Sequence, residues 1–204
     1  MLDGYHVCIF AYGQTGSGKT YTMEGSGIEL GVSPRSVREI FQIINAAPSE
    51  WKYTVTFSML QIYNETVLDL LDVTGTKEKL EVRSSADGKG NVAAGLIEIE
   101  VRGEEQVTEL MVRGQSNRAV GAHDMNEQSS RSHSIITLTV RGKNSLDNTS
   151  TLGKLHLIDL AGSERISKTD ATGGKEILSL IASFIALICC VSKFPPPPHI
   201  LRSS

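Results

Sequence analysis

Apolar and polar positions along the chain follow two alternating periods. Val7-Cys8-Ile9-Phe10-Ala11-Tyr12 is an unbroken apolar run of strand-forming residues that enters a glycine-rich loop, Gly13 to Thr20, and then a helical stretch. Glu24 to Pro34, with Gly25, Gly27 and Gly31, reads as a loop. Ser33 would cap the next helix with Pro34 in its first turn, and Val37, Ile40, Phe41, Ile43 and Ile44 recur at helical spacing toward Ala46. Trp51 to Tyr63 alternates and is rich in Val, Thr, Phe and Tyr, the pattern of a long strand. Asn64-Glu65 then turns into a short helical segment through Leu71. Leu80 to Val82 and Leu96 to Val101 are weaker strands around a hairpin-like loop from Ser84 to Gly95. Glu104 to Arg118 is an amphipathic helix with Val107, Leu110 and Met111 on one face, and Ala119 to Arg131 is polar and irregular. Ser134 to Arg141 and Leu152 to Asp159 are two further strands, joined by the polar link Gly142 to Ser150. Strands alternating with helices predict an α/β fold with helices on both faces of a central mixed sheet.

Composition adds limits rather than identity. At 204 residues a single domain with a sizeable core is expected, and 40% hydrophobic with 21% charged residues is ordinary for a globular protein. A net charge of -3 provides no global attraction to nucleic acid, and no nucleic-acid partner is expected. Cys8 lies inside the first strand, while Cys189 and Cys190 are adjacent, so neither a mutual bridge nor a metal site is suggested and reduced thiols are expected. The opening Met1-Leu2-Asp3-Gly4 lacks the basic start of a secretory signal. Ile177 to Val191 is apolar but falls short of the roughly 18–20 residues that span a bilayer, so no membrane partner is expected. Pro195 to Pro198 is an extended proline run. The chain thus divides at 1–175, which carries the periodic pattern, and 176–204, an apolar and proline-rich tail.

Gly13 to Thr20 matches G-x-x-x-x-G-K-[ST] in the setting that gives it meaning, strand then loop then helix. The glycines let backbone amides converge on phosphate oxygens, Lys19 adds charge at the β- and γ-phosphates, and the Thr20 hydroxyl suits Mg²⁺. A Gly-rich surface turn ending in Lys-Thr by chance would not need the preceding strand. Two later stretches answer this loop. Asn126 to His133 packs hydroxyls, an amide and Arg131 just before a strand, which suits a segment that senses a γ-phosphate and its Mg²⁺. Taken alone it is also an ordinary serine-rich loop. The apolar strand Leu155 to Asp159 ends in a carboxylate, with Gly162 three residues on, the arrangement of a Walker-B Asp and a γ-phosphate sensor.

Together, GQTGSGKT, NEQSSRSHS and LIDLAGSER resemble the nucleotide site of the kinesin motor domain. Leu2 to Tyr5, Phe10 to Tyr12, Ile62 to Glu65, Asp69 to Leu71 and Asn117 to Val120 add to the likeness, which runs from about Leu2 to about Gly173. Gly31 to Arg35 and Gln115 to Arg118 lean toward the C-terminal-motor, minus-end-directed branch. The resemblance implies a P-loop ATPase that moves along microtubules in the cytoplasm and cytoskeleton, the spindle included, with ATP and Mg²⁺ as cofactors and tubulin as partner. It implies that Gly13, Gln14, Thr15, Gly16, Ser17, Gly18, Lys19, Thr20 and Tyr21 bind the nucleotide. Thr20 and Ser130 would ligate Mg²⁺, with Asp159 beyond them. Asn126 and Ser129 would lie by the γ-phosphate and the attacking water, Gly162 would sense that phosphate, and Arg131 would pair with Glu164 as the site closes. Dimerisation in full-length relatives would use regions not contained here.

The chain also departs from the family. The strands and the Arg-x-Arg-Pro adenine segment that precede the P-loop strand in kinesins have no counterpart, and after Gly173 the wording diverges. The expectation is a P-loop sheet incomplete at both ends, about half to two-thirds of the usual core. It would hold nucleotide weakly and show little tubulin-stimulated turnover. A non-motile nucleotide-binding remnant or dominant-negative interaction protein is the alternative. A switch GTPase is disfavoured, because the Asn/Thr-Lys-x-Asp guanine-reading motif is missing.

Overall fold

A computed structural model of the chain describes residues 1–63, 66–74, 78–84, 91–120 and 131–165. The strands are β1 (His6–Ala11), β2 (Gly25–Ser26), β3 (Glu29–Leu30), β4 (Trp51–Tyr63), β5 (Thr66–Asp69), β6 (Lys79–Ser84), β7 (Asn91–Ala94), β8 (Ile99–Val101), β9 (Ser132–Asn144) and β10 (Ser150–Asp159). The helices are α1 (Lys19–Glu24), α2 (Val32–Asn45) and α3 (Glu104–Val120). Eight strands form one sheet in the order β1-β10-β9-β4-β5-β6-β7, with β8 also on β4. Among the described strands only β1 and β10 run parallel; the other pairings are antiparallel, so the sheet is mixed as expected.

Register sorts the side chains onto two faces, because strand residues alternate sides. Phe57 stands opposite Leu138 and Met59 opposite Ile136, while Leu155 and Leu157 stand opposite the same two β9 residues from the other side. These residues join Met23 of α1, Val37, Ile40 and Phe41 of α2, and Val107 and Met111 of α3 in the larger core. One residue out of phase, Leu60, Ile135 and Ile158 line up across β4, β9 and β10 and form a smaller cluster with Val67. None of the three described helices contributes to that second cluster. No helix among the described residues is long and apolar enough to cross a membrane.

Several elements differ from the sequence expectation. The Glu24–Pro34 loop contains the small β2–β3 hairpin, closed where the Gly31 amide donates to the Glu24 carbonyl at 3.1 Å. That closure starts α2 at Val32 with Gly31 as its cap, so Ser33 is not the N-cap but is buried in the first turn. The expected helical segment before Leu71 is instead β5, which pairs back on β4 with Val67 opposite Ile62. Val67, Leu70 and Leu71 are all buried, and their i, i+3, i+4 spacing imitates a helix. Asp69 stabilises the turn that follows: its carboxylate accepts from the amides of Leu71 and Ile97, both at 2.7 Å. The C-terminal part of the expected Ser84–Gly95 loop is strand β7, paired antiparallel with β6. Cys8, expected as a reduced thiol, is disulfide-bonded. The tail 176–204 lies outside the described residues.

Candidate active site

Ala11 stands opposite Asp159 across the parallel pair β1–β10, so both strands end at the same edge of the sheet. Open α/β sheets hold ligands outside the carboxyl ends of such strands. The two chain segments leaving that edge are laced together: the Leu160 amide donates to the Ala11 carbonyl at 3.2 Å and the Ser163 amide to the Gly13 carbonyl at 3.1 Å. Between β1 and α1, Gly16 and Gly18 have φ of 78° and 87°, left-handed backbone that a Cβ would strain. Among the described residues nothing lies within 4 Å of where either Cβ would sit, which leaves the loop open toward a ligand. The Lys19 ammonium donates to the carbonyls of Gly13 at 3.0 Å and Gln14 at 2.9 Å, so it lies against the loop. Tyr21 is half-exposed, and its hydroxyl donates to the Glu29 carboxylate.

The far side of the loop is tied to the segment after β10. The Thr15 amide donates to Glu164 Oε2 at 2.9 Å, and the Thr15 hydroxyl donates to Oε1. The Thr15 hydroxyl first, then Glu164's own amide and the Thr15 amide, hold the Glu164 carboxyl down at about 2. Gly162 lies underneath, buried against the same contact.

A second group forms around Asp159, which is 6% exposed at the end of β10. The Thr20 hydroxyl donates to Asp159 Oδ2 at 2.7 Å, and Arg118 reaches the same oxygen at 3.6 Å. Arg118 also donates to the hydroxyl of Ser132 at 3.2 Å, so the end of α3 is joined to the start of β9 and the end of β10. Among the described residues, Asp159 Oδ1 is buried without a hydrogen-bond partner. A hydroxyl beside a carboxylate with one unused, buried oxygen is a hard-oxygen donor set that fits Mg²⁺ and its bound water. When bound, the ion would neutralise phosphate charge; Thr20 would hold it and Asp159 would orient its water. Arg118→Ala removes the countercharge of a nearly buried carboxylate. It is expected to lower unfolding stability by about 2 kcal/mol, less than the loss of a tight buried pair because of the long gap. A urea titration checks this, and an unchanged midpoint would mean that the ion pair contributes nothing.

His133 of β9 accepts a hydrogen bond from the Ala161 amide at its Nδ1, 3.0 Å away, so the ring is neutral with the proton on Nε2. Burial, then the Arg118 charge, holds its pKa down at about 4, against an ordinary 6.5. His156 is lowered to about 3 by burial, then Lys154 and His6, and His6 is lowered in the same direction by burial and Lys154. Histidines that resist protonation when folded still take up protons when unfolded, so stability is complete above pH 6.5 and declines as pH falls below it. Glu24 and Asp69, both raised by burial, act in the opposite direction, adding stability as pH falls toward their ordinary values of 4.5 and 3.8. The urea midpoint is therefore expected to be lower at pH 5.5 than at pH 7.5; a flat profile would contradict neutral, buried imidazoles.

The structure thus brings together Gly13 through Thr20, Asp159, Gly162 and Glu164 at one sheet edge. Arg131 is described just before β9, whereas Asn126, Ser129 and Ser130 lie outside the described residues. Sequence reading missed Arg118 and His133 as parts of the site. Both stood inside quoted motif text, but only the fold shows that a helix end and a strand start meet Asp159 and the segment that follows it.

The kinesin motor domain family profile matches residues 1–200. The chain belongs to the kinesin motor-domain family. Kinesin-like protein klp-3 of Caenorhabditis elegans is 44% identical over 172 residues, covering 84% of this chain and 28% of the relative. Kinesin-like protein KIN-14R of Arabidopsis thaliana is 43% identical over 189 residues, covering 92% of this chain and 17% of the relative. KIN-14 kinesins thus stand among the relatives, in keeping with the leaning toward the C-terminal-motor branch. A solved structure described as "Structure of a fast kinesin: Implications for ATPase mechanism and interactions with microtubules" superposes with a TM-score of 0.76 at 42% identity. That match covers 91% of this chain and 53% of the other. This kinesin chain therefore spans less than a third of the length of these two curated relatives.

Proposed function

We propose that this chain is the nucleotide-handling part of a microtubule motor, binding Mg-ATP and hydrolysing it in response to tubulin. The observation that carries the reading is the Thr20 hydroxyl on Asp159, with a buried carboxylate oxygen that no described residue partners, placed beside an open phosphate loop. Phosphoryl transfer needs placed water and fixed charge more than covalent chemistry from the protein. In this reading the loop amides and Lys19 hold the triphosphate, and Thr20 and Ser130 serve Mg²⁺ with Asp159 behind them. Asn126 and Ser129 place the attacking water, Gly162 senses the γ-phosphate, and Arg131 with Glu164 closes the site. Its partner is the microtubule and its place the cytoplasmic cytoskeleton.

The closing pair gives a test of its own. Arg131→Ala and Glu164→Ala are each expected to retain ATP binding and lose hydrolysis, with the double variant losing little more. Strictly additive losses would show that the two side chains act independently. For the function as a whole, phosphate release is measured from Mg-ATP with and without polymerised tubulin. A low basal rate with a small, reproducible rise supports the motor reading. ATP binding without any rise would reduce the chain to a nucleotide-binding module.

A further inference from the structure

We infer that Thr15 is a positioning residue: it seats the Glu164 carboxylate on the phosphate loop as a resident anion, which an incoming triphosphate must displace. The inference rests on the nucleotide reading above and adds a regulation to that site. Thr15 supplies two donors to one carboxylate, its amide to Oε2 at 2.9 Å and its hydroxyl to Oε1. The residue before Glu164 is pinned to the same loop, through the Ser163 amide and the Gly13 carbonyl at 3.1 Å. The packing is close: a Cβ on Gly162 would collide with both Glu164 oxygens and with the Thr15 hydroxyl. Lys19, in the same loop, adds an attractive charge.

A loop whose amides converge on anions cannot keep a carboxylate and accept a triphosphate at no cost, because like charges at close range repel. The coupling is reciprocal: whatever strengthens the hold on Glu164 weakens the nucleotide by the same factor. The Thr15 hydroxyl is then a brake on nucleotide entry rather than a ligand for it. Its contribution can be removed with little change of shape, since valine keeps the branched outline and the backbone amide.

The test is calorimetric titration of Mg-ATP into the full chain and its variants. Thr15→Val is expected to bind roughly three- to tenfold tighter than the wild type, within the usual span of coupling between linked sites. Thr15→Ser, which retains the hydroxyl, should stay within about twofold of the wild type, and Glu164→Gln should bind tighter. The Thr15→Val/Glu164→Gln double variant should gain nothing beyond Glu164→Gln, because the two changes remove one interaction. Equal or weaker binding by Thr15→Val overturns the inference and makes the hydroxyl a nucleotide ligand. Amide exchange at Thr15, measured without nucleotide, separates the two levels of the account. Protection that is lost in Glu164→Ala, which keeps no acceptor, establishes the seat itself, and similar protection in both proteins overturns it. If the seat is present and all variants bind Mg-ATP equally, the competition alone is overturned. If the seat is present and no variant binds Mg-ATP, the competition and the nucleotide reading are overturned together.

Discussion

Lys19→Ala is expected to abolish detectable Mg-ATP binding, a loss of at least about 100-fold. Lys19 is the one cation in the octet Gly13 to Thr20, so no neighbour in the loop can replace its charge at the phosphates. Its ammonium lies on the carbonyls of Gly13 and Gln14, inside the span that would enclose a triphosphate. Those carbonyls belong to a surface loop, and water can satisfy them in the variant. Stability should therefore change by no more than about 1 kcal/mol, so that lost binding is not lost folding. Calorimetric titration beside a urea melt checks both statements. An unchanged dissociation constant would remove the phosphate-loop reading.

Phe57→Ala should be the most damaging change to the fold, costing roughly 3–5 kcal/mol and lowering the melting temperature by about 10 °C. The side chain is fully buried on β4, opposite Leu138 of β9 on one side and Ile99 of β8 on the other. Little can collapse into the space it leaves, because Leu138, Leu157 and Val107 around the same core are themselves at most 1% exposed. A loss below about 1 kcal/mol would contradict the register that places Phe57 at the centre of the sheet. Lys19→Ala addresses the site and Phe57→Ala the frame that positions it, and the two effects should be separable.

What could be read from the sequence depended on the range of the interaction. The strand, loop and helix of the phosphate site are contiguous, so residues 7–20 and the Asp159 strand were legible without a fold. The long strands β4 and β9 were equally visible, since their alternation continues over many residues. The short β5 was not, because Val67, Leu70 and Leu71 are buried for two different reasons, pairing in the strand and packing after the turn, and together they mimic a helix. Ser33 has the chemistry of a cap, but closure of the β2–β3 hairpin moved the helix start ahead of it. Arg118 on Asp159 and Thr15 on Glu164 join residues far apart in the chain, the latter pair separated by 149 positions, and nothing local announces them. Such contacts appear only once the sheet brings the ends of β1 and β10 to one edge.

The central claim is that the phosphate loop and Asp159 form one Mg-ATP site. Its most direct test is titration of ATP into the unmodified chain, once with Mg²⁺ and once with the ion chelated. A single saturable site is expected, with affinity falling by at least about tenfold without the ion, since both Thr20 and the buried Asp159 Oδ1 are placed to serve it. Equal affinity with and without Mg²⁺, or no saturable binding in either case, would contradict it.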